Sequence, residues 1–170
     1  MNSNFRPGDI LVGCTNVNGF PPGYMGHSAI VVDSNHMVEA AVTFPTIRKV
    51  PISFFQRDHP IYVVIRPASS ELGQKAALSA LDYLQKYQAN VQRGHNLPPF
   101  SLLPNVPLED PWQGVYCSKL VWMSYFYGAG MRFSNDHGLF SPEDLYTGLS
   151  QDKNFIVLFK HPQFQFVVDT

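Results

Sequence analysis

The sequence predicts an α+β domain, a small antiparallel sheet with a buried helix packed across one end of it. Three observations carry that expectation. Short β-branched runs bounded by Gly, Pro, Asn and Asp recur as far as Pro67. An amphipathic helical period follows them, and later comes a run over residues 115–127 that is almost wholly apolar. The chain has 170 residues, 45% of them hydrophobic, which suits one core and is too short to suggest two, so 1–170 is read as a single domain.

Taken in order, PGDILVGC (7–14) is a turn leading into a short strand, and GHSAIVVDSNHMVEAAV (26–42) is a hairpin with two apolar arms. PIYVVIRP (60–67) is a strand bracketed by prolines. In SSELGQKAALSALDYLQKYQ (69–88), Leu72, Ala76, Leu81, Leu84 and Tyr87 recur near helical spacing, giving an amphipathic surface helix capped by Ser69 or Ser70. Residues 93–114 hold five prolines and no sustained period, so an ordered irregular segment is expected, either a functional loop or a cover for the core. The run 115–127, interrupted only by Ser118, Lys119 and Ser124, is the central helix, buried on most sides. SPEDLYTGL (141–149) is a short helix with Ser141 as N-cap, Pro142 at its first position and Glu143 and Asp144 in its first turn. NFIVLFK (154–160) reads as another buried strand and QFQFVVD (163–169) as a last edge strand.

Composition removes several functional classes. Twelve Lys and Arg against thirteen Asp and Glu leave a formal charge of -1, with no electrostatic footprint for a nucleic-acid backbone or an anionic membrane. No apolar run is long enough to cross a bilayer, so no integral membrane segment is expected. The N-terminus lacks the pattern of a secretory leader, so the sequence as it stands reads as cytoplasmic; a secreted or cell-envelope location would require that a leader had been removed. The two cysteines, Cys14 and Cys117, lack the spacing of a zinc site or redox motif, and a disulfide between them would be decided only by their separation. A homo-oligomer is left open.

Cys117 is the residue through which chemistry enters. If its helix begins near Tyr116, the thiol lies in the first turn, where unpaired amides and the helix dipole favour the thiolate and can hold an oxyanion. By itself Cys117 is more simply read as a small buried hydrophobe. Of the six histidines, His36, on the second arm of the hairpin, has no assigned role; His59 and His161 precede prolines, His95 lies in the proline-rich segment and His137 in a polar turn. His27 differs, because it opens the strand HSAIVV directly after Gly26 and can project from the sheet into a cleft. An imidazole base needs an orienting partner, and Glu39 is the acid on the second arm of the hairpin. A two-residue turn at Ser34 and Asn35 would put Glu39 and His27 on opposite faces. A three-residue turn over 33–35 pairs Ala29 with Glu39 and makes Glu39 and His27 diagonal neighbours on one face. Asn35 favours this register through its tolerance of the left-handed conformation.

RPGDILVG, GHSAIVV, MVEA, VYCSKLVWMSY and SPEDLY, in that order over residues 6–146, resemble the circularly permuted papain-like cysteine peptidases of the NlpC class, in the YiiX-like branch. In that branch the histidine strand precedes the cysteine helix, as it does here. The resemblance implies a permuted papain-like fold with Cys117 as nucleophile, His27 as general base and then acid, and Glu39 as the orienting third member. It also implies amide hydrolysis through a thioester acyl-enzyme, with a small peptide or amino-acid-like substrate, often of cell-wall type, and no cofactor. Tyr116, next to the nucleophile, is a candidate substrate-binding residue or a packing residue. The proline-rich segment before Cys117 matches no specificity element of the family. Two rivals stand beside the peptidase. One is a soluble lipid acyltransferase or thioesterase of the permuted group, which would carry an asparagine where this chain has Tyr116; the other is a non-catalytic module binding a peptide or amino acid in its groove.

Overall fold

A computed structural model describes residues 4–14, 26–135 and 138–167. Its centre is a six-stranded sheet made of β1 (Ile10–Gly13), β2 (His27–Val31), β3 (His36–Ala40), β4 (Ile47–Pro51), β5 (Tyr62–Pro67) and β6 (Phe155–Lys160). The strands lie in the order β4-β3-β2-β1-β5-β6 and every neighbouring pair is antiparallel. Four helices complete the fold: α1 (Ile52–Asp58), α2 (Ser70–Gln92), α3 (Cys117–Ala129) and α4 (Pro142–Gln151).

The alternation of side chains along each strand divides the interior in two. Ile10, Val12, Ile30, Val38, Val63 and Ile65 face α2 and α3, meeting Ala76, Ala80, Leu84, Leu120 and Val121 in the main core. Leu11, Ala29, Val31, Met37 and Val64 face the other way and are covered by Ile52 and Phe55 of α1. The expected surface helix is α2, capped by the Ser69 side chain on the Leu72 amide, with Ala76, Ala77, Ala80, Leu84 and Tyr87 on its buried stripe. The expected central helix is α3, buried from Ser118 through Tyr125.

The RPGD turn acts as a clamp across these layers. Tyr125 of α3 donates its hydroxyl to the Gly8 carbonyl at 2.5 Å, and the Gly8 amide donates to Val31 at 2.8 Å. The Asp9 carboxylate, fully buried, accepts both Nε and Nη2 of Arg66 at 2.7 and 2.6 Å, and the Arg6 amide at 2.9 Å. One motif thereby fixes β1, β2, β5 and α3 to each other.

Several expectations are corrected. Neither β4 nor α1 is foreseen from the sequence, since Pro51 ends one and caps the other and α1 has only 7 residues, too few for a helical period. The run NFIVLFK is a strand, but an edge strand, with Ile156, Val157 and Leu158 exposed. Residues 163–167 form no strand, and Val168 and Asp169 fall outside the described residues. Residues 93–114 are irregular as expected, with an isolated parallel bridge from Phe100 to Val115 and hydrogen bonds from Tyr83 to Pro111 and from Asn90 to Leu97 tying them to α2.

Candidate active site

The hairpin register decides whether the three candidate residues meet. Ile30 pairs with Val38 and Val31 with Met37, and the Val32 amide donates to the His36 carbonyl at 2.9 Å, so the loop is the three residues 33–35. Its cause is not the expected one. No described residue other than glycine has a positive φ, so Asn35 is not left-handed. The turn is held by Asp33, whose Oδ1 accepts the amides of Asn35 at 2.9 Å and His36 at 2.8 Å, an Asx-type turn. Lys49 of β4 closes on the other carboxylate oxygen at 2.8 Å.

In this register Glu39 and His27 share the face toward α1, and His27 Nε2 lies 2.6 Å from Glu39 Oε2. Glu39 is buried, and its second oxygen accepts Nε of Arg48 at 2.7 Å. Arg48 lies directly across β4 from Glu39 and was not anticipated, because the strand that carries it was not. Burial alone would raise the Glu39 carboxyl, but the hydrogen bond and charge of His27 and the guanidinium of Arg48 hold it below its ordinary value.

Cys117 is the first residue of α3, after Tyr116 in extended conformation, and no side chain caps this helix. Its first-turn amides therefore face the site without a side-chain acceptor. Residue Cys117 is partly exposed and Cys14 is buried, and neither is in a disulfide. Nε2 of His27 is turned to Glu39, and the ring lies close enough to Cys117 for each to shift the other's titration. Burial pushes the thiol up, yet the hydrogen bond and charge of His27, with the Ser28 amide and hydroxyl, carry it net below the ordinary thiol value. The Ser28 hydroxyl is fully buried, has no hydrogen-bond partner among the described residues, and lies near enough to Cys117 to lower its thiol. His27 moves the opposite way. Desolvation disfavours its charge, but the hydrogen bonds to Cys117 and Glu39 and their negative charges raise it to about 10. The directions agree: each member of the pair favours the charged form of the other.

The backbone around the histidine is unusually close. A Cβ on Gly26, whose φ is +60°, would stand 2.3 Å from the Gly13 carbonyl oxygen, so only glycine lets β2 begin here. On the far side of Cys117, Phe140 holds the helix start by its backbone. Its carbonyl accepts Ser118 Oγ at 2.7 Å, and its amide lies near the Tyr116 hydroxyl. Phe140 is itself set by the capping box of α4, in which Ser141 Oγ accepts the Glu143 and Asp144 amides and Asp144 Oδ2 accepts the Ser141 amide. The SPEDLY motif thus supports the start of the Cys117 helix from outside. Tyr116 is buried, its hydroxyl raised by burial and by the neighbouring Cys117 charge, and lies beneath the site.

No protein-family model matches the chain, and no curated protein does. Among solved structures, the chain is similar to the crystal structure of the metalloprotein YiiX from Escherichia coli O157:H7, a DUF1105 protein. The TM-score is 0.64 at 17% sequence identity, covering 94% of this chain and 99% of that one. The fold is YiiX-like. That likeness concerns architecture alone. YiiX is described as a metalloprotein, but here no three His, Cys, Asp or Glu side chains among the described residues converge as metal ligands. In this YiiX-like chain Nε2 of His27 is engaged by Glu39, and Glu39 is engaged by Arg48 as well. No helix among the described residues is long and apolar enough to cross a membrane.

Proposed function

We propose that the chain is a cysteine hydrolase of the permuted papain-like type, a peptidase or amidase that cleaves an amide in a small peptide or amino-acid-like substrate. The observation that carries this reading is the ordered contact Cys117–His27–Glu39, with the sulfur at the first position of α3. An ion pair is a poor packing element and a good nucleophile.

In the reaction, the Cys117 thiolate attacks the carbonyl carbon, and the oxyanion is met by the uncapped amides of the first turn of α3. The His27 imidazolium gives its proton to the amide nitrogen, the C–N bond breaks, and the amine leaves behind a thioester on Cys117. Neutral His27 then takes a proton from water, the hydroxide equivalent attacks the thioester, and the thiolate departs to reform the pair. Glu39 keeps the ring aligned and favours its cationic form, and Arg48 keeps Glu39 ionised. Tyr116 is assigned to the floor beneath the sulfur, its hydroxyl near the Phe140 amide.

The test is a screen of amide, ester and wall-type peptide substrates against the wild type and Cys117→Ala. Amide turnover that vanishes in Cys117→Ala, with a covalent acyl adduct on Cys117 seen by mass spectrometry, is the expected result. Turnover that survives Cys117→Ala, or binding of peptides without an adduct, would defeat it.

A further inference from the structure

We propose that His59 is a positioning residue for His27, a flat imidazole plate that holds the base between Cys117 and Glu39 and stabilises its cationic form. This rests on the catalytic reading of Cys117 and His27 given above. The sequence places His59 before a proline, as a loop residue. In the fold it ends α1, its amide donating to Phe55 at 2.7 Å, and its ring stacks on His27 with centroids 4.8 Å apart and planes 26° from parallel. Phe55 completes the stack, 5.7 Å from His27 and 4.8 Å from His59.

The seat for this ring is built into the sheet. Gly13 of β1 is the residue paired with His27, and a Cβ there would come 2.8 Å from His59 Cβ and 3.2 Å from its Cγ. A side chain at position 13 would therefore push His59 off the base. Without it, the π-face of His59 lies against the His27 ring, a contact of the cation–π kind when His27 carries the charge and His59 does not. Cys117 and Glu39 both act on the His27 ring, and the plate at its face removes the remaining freedom to swing. The charged and titratable groups around the stack are Cys117 and Glu39 at His27, Arg48 behind Glu39, and Asp58 with Arg57 beside His59.

The test compares His59→Phe, which keeps a ring, with His59→Gln, which does not, and with Gly13→Ala, which displaces the ring and alters neither histidine. His27→Ala is the reference. The readouts are the rate of Cys117 alkylation by iodoacetamide as a function of pH and the NMR signals of the His27 ring nitrogens, with thermal melting to confirm folding. His59→Gln and Gly13→Ala are expected to slow alkylation at pH 6 roughly tenfold, the scale of a partly desolvated cation–π contact, and to move the His27 titration down. His59→Phe is expected to restore most of the rate. If His27→Ala lowers alkylation while His59→Gln matches wild type in rate and titration, His59 is packing alone and the proposal falls. If His27→Ala itself changes nothing, the base assignment fails, a separate outcome that removes the proposal with it.

Discussion

Lys119, two residues beyond Cys117 on α3, is fully buried, and its Nζ has no hydrogen-bond partner among the described residues. Burial brings it down from the ordinary 10.5 to about 8, against the attraction of Asp110 and Glu109. A depressed lysine means that the unfolded chain holds the proton more tightly than the folded one between those values. Stability therefore rises with pH across that window, and the full cost of the buried charge is present below pH 8. At about 1.4 kcal/mol for each pH unit, the fall corresponds to on the order of 3 kcal/mol. Lys119→Met, similar in length and uncharged, removes that cost and forfeits the attraction of the two carboxylates, so a gain of about 1–3 kcal/mol at pH 7 is expected. Urea denaturation of both proteins at pH 7 and pH 10 measures it, and the gap between them should narrow at the higher pH. A variant less stable than wild type at pH 7, or a gap independent of pH, would refute the reasoning.

Glu39→Gln removes the negative charge that favours imidazolium and leaves Arg48 unpaired; the alkylation rate of Cys117 at pH 6 should fall on the order of tenfold or more, and an unchanged rate would count against the triad. Ser28→Ala deletes the hydroxyl that faces the sulfur, so the thiol should titrate higher with little change in melting temperature. Asp9→Asn breaks the bidentate pair with Arg66 at a buried position, and chemical denaturation should show a loss of about 3 kcal/mol, whereas a loss under 1 kcal/mol would show that the clamp is dispensable. Ser141→Ala removes one half of the α4 capping box, costing about 1 kcal/mol by the same assay.

What the sequence made legible was whatever announced itself by period or by punctuation. Strands β1, β2, β3 and β5 lie between Gly and Pro signals, the apolar run of α3 could only be buried, and Ser69 and Ser141 marked their helix starts. The hairpin register came out as expected for a different reason, the carboxylate of Asp33 holding the turn in place of a left-handed Asn35. Where local signals conflict, the reading stopped short. In IRKVP only Ile47 is buried outright, and the strand gives way at Pro51 to a helix of two turns, so neither element has a period of its own. The loss of β4 and α1 hid Arg48 and His59 together, since each reaches the site only through those elements. The exposure of Ile156, Val157 and Leu158 is likewise set by the position of β6 at the sheet edge, which a run of apolar residues does not encode. The candidate triad was readable because the hairpin joins two of its members over 12 residues, while Cys117 meets them only through the packing of α3.

The central claim is that Cys117 rests as a thiolate because His27 is beside it. The measurement is the rate of alkylation of each cysteine against pH, resolved by peptide mass spectrometry, in wild type and His27→Ala. Cys117 is predicted to react well below the ordinary thiol range with a rate that stays flat through neutral pH, Cys14 to react slowly, and the Cys117 advantage to vanish in His27→Ala. Equal labelling of Cys14 and Cys117, or a Cys117 profile that rises only as an ordinary thiol does and is indifferent to His27→Ala, would contradict it.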